Sequence, residues 1–439
     1  MQSRLTTWRA ISFLIVLMGM RCADGAVFNV NSPADVNDAT LGDGVCETAT
    51  GNHVCTLRAA LDESNALPGS DTILLQAVTY KILQDKRLDI LDSVSIVGAG
   101  ASSTFIDGNN TVIKNGSITV SQCRGDHVGC DFAHPENVVS IAGLTFQNGG
   151  SARSAITNQG NLTVDGCKIT HGKNSSGIVP GISNYNALVL NNSSIVDNGV
   201  FAPAGDIEGG GLYQFNGTAV IRNSTISGNF AGSGAGIFID GGKLDIINST
   251  ISGNISNGDG AGIYMRDGGL PVLQLSLYNT TVAFNLANAD DAGGGIGGGV
   301  YNASPKPLNV VNSIIAMNAY DSVQGQFVLQ LPSDCAGTIT SQGQNIVGDV
   351  DAQHCTVLGP VTIADPLLGP LQANGGPTAT HALAFTSPAI DAGNPAGCTD
   401  NLGAILTADQ RGAPRPSGKH CDIGAFESTE RIFSDGFEP

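Results

Sequence analysis

One segment recurs five times between residues 190 and 320. It has an Asn, a Ser or Thr, a free position, an Ile or Val, two further residues and a second Asn. The copies begin at Asn192, Asn223, Asn248, Asn279 and Asn312 and close at Asn198, Asn229, Asn254, Asn285 and Asn318. The first Asn returns after 31, 25, 31 and 33 residues, and Gly166-Cys-Lys-Ile169 reads as a degenerate earlier copy. A second pattern keeps step with it. A small residue precedes an apolar one at Ala155-Ile156, Gly181-Ile182, Gly211-Leu212, Gly236-Ile237, Gly262-Ile263 and Gly299-Val300. Each unit therefore holds two or three short β-type runs between Gly, Asn, Asp and Ser turns. Runs this short cannot bury their own apolar face; stacked units can, each run pairing with the same run one coil away at about 4.8 Å. That is a parallel β-helix. The uneven period favours it, because insertions leave through the loops while the strands stay in register. A leucine-rich horseshoe has a tighter consensus and a propeller a longer blade. The expected fold is all-β, a right-handed parallel β-helix.

The composition agrees. The chain has 439 residues, 59 of them Gly, with only 13% charged and 5% aromatic residues and a formal charge of −18. Too much of it is apolar for a disordered chain. The glycines have no three-residue period, which excludes collagen. No basic patch exists, which argues against a nucleic-acid partner.

Residues 1–25 read as a secretory signal, with Arg4 and Arg9 before the apolar run Ile11–Met20. Ala23 and Gly25 are the small residues at −3 and −1 of a cut before Ala26. A lipoprotein cut at Cys22 is the weaker alternative. No later segment is apolar enough to span a membrane. The expectation is a secreted or cell-surface protein, monomeric, with cysteines paired in an oxidising compartment. Near neighbours should pair as Cys46–Cys55, Cys123–Cys130, Cys335–Cys355 and Cys398–Cys421, which leaves Cys167 over. No tight CxxC or HxxxH cluster points to a metal.

The repeated Asn residues are expected to form structural ladders, bonding their own turns and the Asn of the next coil. Two other stretches carry a resemblance. Gly42-Asp-Gly-Val-Cys46, Cys55-Thr-Leu-Arg58-Ala-Ala60 and Glu63-Ser-Asn65-Ala66 resemble the CSLREA motif of bacterial exported β-helix proteins, with Thr56 for Ser and Ala59 for Glu. Thr56 can N-cap a short helix that covers the open end of the solenoid, with Arg58 as a structural hydrogen-bonder. Asp365-Pro-Leu-Leu-Gly369, Asn374-Gly-Gly-Pro-Thr378, Ser387-Pro-Ala-Ile-Asp391, Asp409-Gln-Arg411 and Asp422-Ile-Gly-Ala-Phe-Glu427 resemble the choice-of-anchor Q region. The resemblance implies a secreted or surface β-helix protein without assigned activity, its acids fixing turns. The organisation expected is a signal at 1–25, an N-terminal cap at 26–90, coils at 91–364, the Q-like region at 365–427 and a tail at 428–439.

Catalytic patterns are missing. Asp290-Asp291 is the one adjacent acid pair in the helix body, and no Gly-His-Gly follows it. Lys243 and Arg266 are the only bases between Asn223 and Lys306, and none of the seven His lies in a nucleophile elbow. No catalytic residue is assigned. A different feature suggests binding. If Ile237 and Ile239 point inward, Phe238 and Asp240 point outward. The same register aligns Tyr213, Tyr264 and Tyr301 with Phe238, and sets Arg266 beside Asp240. Such a strip can hold sugar rings or a protein partner; it can also simply stabilise the sheet face. Calcium is the one cofactor left open, through the loop acids Asp206, Glu208, Asp259, Asp290 and Asp291. Three readings result: a non-catalytic protein binding glycans or cell surfaces, a polysaccharide lyase or glycoside hydrolase using the outer face, and a structural spacer.

Overall fold

A computed structural model describes residues 25–84, 87–108, 118–121, 137–149, 154–172, 181–199, 208–290, 295–324, 327–351 and 353–429. The expected Cys123–Cys130 pair, almost all of the signal and most of the C-terminal tail lie outside these residues.

The chain winds as a right-handed parallel β-helix with three faces, the hand that parallel crossovers take. One face stacks Ile156–Asn158, Ile182–Asn184, Leu212–Gln214, Ile237–Ile239, Ile263–Met265 and Val300–Asn302, all parallel and in register. A second stacks Asn161–Asp165, Ala187–Asn191, Thr218–Arg222, Gly242–Ile247 and Leu273–Tyr278. The third stacks 11 strands from Thr79–Lys81 to Thr362–Ile363. Register puts like residues above like. Ile156, Ile182, Leu212, Ile237, Ile263 and Val300 form one inward column, and Ile169, Ile195, Ile226, Ile251, Val282 and Ile315 another. All are essentially inaccessible to water. Each large aliphatic side chain so buried contributes about 1.5–3 kcal/mol.

Coils begin before residue 91. Val27–Asn29 pairs with Asp71–Leu74, which pairs with Val94–Val97, so the N-terminal segment already supplies rungs. Its helix, Leu57–Ala66, starts at Thr56, whose hydroxyl accepts from Ala59 N. Leu57, Ala60 and Leu61 pack into the same core as the first rungs. Arg58 is buried and holds Asp35 through Nε at 2.6 Å and Nη2 at 3.2 Å, the structural role expected of it.

The two repeated Asn positions do different work. The closing Asn residues form a continuous buried ladder. Nδ2 of Asn198 donates to Asn229 Oδ1, Asn229 to Asn254, Asn254 to Asn285 and Asn285 to Asn318, at 2.8–3.0 Å. The opening Asn residues instead turn the corner between faces two and three at φ of 47–50°, a region costly for other L residues. Gly143 and Gly166 fill the same corner in earlier coils, at φ 64° and 58°, which explains the degenerate copy. The ladder expected through these opening residues is only partial. Asn312 bonds Asn279 at 2.8 Å and Asn223 bonds Asn192 at 3.4 Å. Asn248 and Asn279 turn their amides elsewhere.

They turn to the C-terminal region, which folds back across the third face. Asn248 Nδ2 donates to Ala408 O, Asn279 Nδ2 to Thr399 O and Asn312 Nδ2 to Asp422 O, each at 2.8–2.9 Å. Thr225 Oγ1 donates to Ala379 O, and Thr250 Oγ1 to Gln410 Oε1. Acids in this strap do fix turns. Asp409 accepts from the amides of Arg411, Ala413 and Glu427, and Asp391 from His420 N. Cys46–Cys55, Cys335–Cys355 and Cys398–Cys421 are disulfides as expected. Cys167 is free and buried, and burial pushes its thiol up to about 11, so it stays an inert core residue.

Candidate functional site

The strand Ile237–Ile239 alternates because its outer residues fill the core. Its central side chain must therefore face out, and so must Tyr213 one coil before it, Tyr264 one coil after it and Tyr301 one coil further on, which follow one another in register. The rings touch in sequence. Tyr213 stacks on Phe238 with centroids 5.6 Å apart, Phe238 meets Tyr264 edge-on at 5.2 Å, and Tyr264 meets Tyr301 at 5.3 Å. Such contacts add about 0.5–1.5 kcal/mol each beyond burial.

Two of the six expected ligand-binding residues are not offered to solvent. Phe238 points outward but is 0% exposed. Tyr213 and Tyr264 flank it and the Arg266 guanidinium lies 4.9 Å from its ring centre. It is the floor of the strip. Asp240 is 5% exposed, covered by Arg266. The accessible surface belongs to Tyr213, Tyr264 and Tyr301, all half-buried, and to Arg266, whose side chain is 40% exposed.

Arg266 does lie beside Asp240. Its Nε and Nη2 donate to the two Asp240 oxygens at 3.0 and 2.8 Å. From the coil below that of Asp240, Glu208 takes the adjoining Nη1–Nη2 edge through both its oxygens. The bond to Asp240 above all, and then Glu208, hold the guanidinium well above its usual range. It is a fixed cation and has no lone pair to serve as a base. Burial first, and then Asp240 and Glu208, raise the Tyr213 phenol beyond its ordinary 10.0, and burial does the same for Tyr264 and Tyr301. The three hydroxyls therefore stay protonated at neutral pH and can both donate and accept.

Sequence reasoning missed two rings. Tyr185 and Phe215 extend the strip on the Tyr213 side, with Tyr185 6.5 Å from Tyr213 and 5.7 Å from Phe215. They are the most exposed of the series, at 39% and 36%. They sit just past the strand ends, where a register argument does not reach. At the other end the strip runs into a cleft of about 420 Å³ bordered by Tyr301, Asn302, Ser304, Thr338, Gln353 and His354.

The loop acids among the described residues do not gather as a metal site. Glu208 is taken by Arg266, and Asp259 accepts from Ile296 N at 3.0 Å. Asp206 and Asp291 lie outside the described residues. Among the described residues no three His, Cys, Asp or Glu side chains gather as a metal site would, and no helix is long and apolar enough to cross a membrane.

No family model matches the chain, and no curated protein matches it. Among solved structures it is similar to pectate lyase Pel9A, at 15% identity and a TM-score of 0.42, over 94% of this chain and 98% of that one.

Proposed function

We propose that this is a secreted or cell-surface protein that binds glycans along the aromatic strip, in the manner of an adhesin and without catalysis. The observation that carries the reading is the run of rings from Tyr185 to Tyr301, partly exposed except for the buried Phe238, flanked by a fixed Arg266–Asp240–Glu208 cluster. Flat rings with neutral hydroxyls beside them offer apolar faces to sugar C–H groups and hydrogen bonds to sugar hydroxyls. The rings rise by one coil at a time, so a chain of sugars can lie along the stack. Three disulfides among the described residues suit an oxidising compartment.

A panel of neutral and acidic polysaccharides tests this, using wild type, Tyr264→Ala and Tyr301→Ala. Binding to the recognised glycan should weaken about tenfold, or ~1.4 kcal/mol, with the melting curve nearly unchanged. Lost stability with intact binding would show that the rings only brace the sheet. Release of unsaturated, ultraviolet-absorbing products would assign a lyase instead.

A further inference from the structure

Asp71 stands at the start of a rung and is only 1% exposed. Its Oδ1 accepts a single hydrogen bond, 2.7 Å from the backbone nitrogen of Ala26. Its Oδ2 has no hydrogen-bond partner among the described residues. A buried carboxylate with one oxygen unanswered is costly, and such groups in folded proteins call for a partner. Ala26 is itself held in place, its carbonyl accepting from Thr72 N at 2.8 Å, while Asp71 N is tied to Ser93 O at 3.2 Å. The chain just before Ala26 is crowded. A Cβ at Gly25 would come within 1.7 Å of Ser70 O, so no side chain fits at that position.

The geometry points to a processing site between Gly25 and Ala26, whose product is the missing partner. We infer that the new α-ammonium of Ala26 seats on Asp71 as a buried ion pair that locks the first rung. Cleavage adds water across the Gly25–Ala26 amide. The hydroxyl goes to the Gly25 carbonyl carbon and a hydrogen to the Ala26 nitrogen, which then takes a proton from solvent. A signal endopeptidase of the export machinery supplies the catalysis. An uncut chain offers Asp71 one N–H and no charge. The cut chain offers three N–H donors and a full positive charge, enough for both carboxylate oxygens. A free α-amino group titrates near 7.7–8.0, so it is charged at neutral pH. This inference does not depend on the glycan reading.

The exported protein is tested first by intact mass and N-terminal sequencing, which should give a free amine at Ala26. A start at Cys22, or at any other residue, overturns the inference. In the folded protein the Ala26 amine should react with an acylating reagent at least about tenfold more slowly than in the unfolded chain, as an amine held in a buried pair must. Equal rates overturn it. Finally, a chain beginning at Gly25 should melt about 2–4 °C below the chain beginning at Ala26, and Asp71→Asn should lower the melting point of the Ala26 chain but add little to the Gly25 chain. Should Asp71→Asn fail to fold, the comparison of the two natural-sequence chains decides alone: coincident melting curves overturn the pair.

Discussion

Asn254 and Asn248 are six residues apart in one repeat and have opposite tasks. Asn254 is chosen for its amide, which answers buried groups on both neighbouring coils. Asn248 is chosen for its tolerance of positive φ, and its amide is then free to hold the strap. The buried ladder ends at Asp334, which takes the place of the next Asn. Its Oδ1 accepts from Asn318 N and Nδ2, and its Oδ2 from Asp349 N. Burial pushes this carboxyl up from 3.8 to about 6, against those hydrogen bonds. An acid raised in the folded state binds more protons there than in the unfolded chain over that window, so folding weakens as pH rises from about 4 to 6. Asp334→Asn should remove this component. Relative to the variant, wild type should lose on the order of 1–3 kcal/mol between pH 4 and 6. Chemical denaturation at each pH measures it, and parallel profiles would refute it. The ladder Asn residues were legible from their spacing. Asp334 was not, because the excursion through Ala319–Gln324 and Phe327–Pro332 breaks the period just before it.

The cap helix and the strap both stand outside the stack of rungs. The helix could be read from Thr56 and the apolar positions that follow, because capping and amphipathic spacing are local. The strap's location could not. Its bonds to the coils reach partners 86–185 positions away, and no local pattern announces such a distance. In hindsight the outer positions of the third face hold a trace of it. Thr225, Thr250 and Thr281 are small, buried hydroxyl residues where an open sheet face would carry larger polar side chains. Gln410 joins the elements: it accepts from Thr250 and donates to Thr225 Oγ1, Thr378 Oγ1 and Ala379 O. Gln410→Ala leaves several of these buried groups unanswered. It should cost about 1–3 kcal/mol in a urea titration and make residues 365–427 the first site of protease cleavage. Cleavage elsewhere first would argue that the strap does not depend on this contact.

At the scale of the molecule, a solenoid touches only its neighbouring coils, so its ends should open first. The strap changes this by tying non-adjacent coils together. Amides of Thr225–Ser227, Thr250–Ser252 and Thr281–Ala283, beneath the strap, should therefore exchange with deuterium more slowly than those of Cys355–Leu358 and Thr362–Ile363 at the open end. Mass spectrometry of exchange over minutes to hours reads this directly, and equal protection would mean the strap adds no stability. The periodic sequence by itself determined the coil, its register, the inward columns and the order of the aromatic strip, because each follows from alternation and a repeat of about one turn. Pairing of near neighbours also anticipated the three disulfides among the described residues. Only the tertiary structure decided that Phe238 and Asp240 are covered, that Glu208 closes on Arg266, that Tyr185 and Phe215 lengthen the strip, and that the C-terminal region lies along the third face. Those outcomes depend on side chains meeting across coils and on a segment returning over long sequence separations, where neither period nor local propensity carries information.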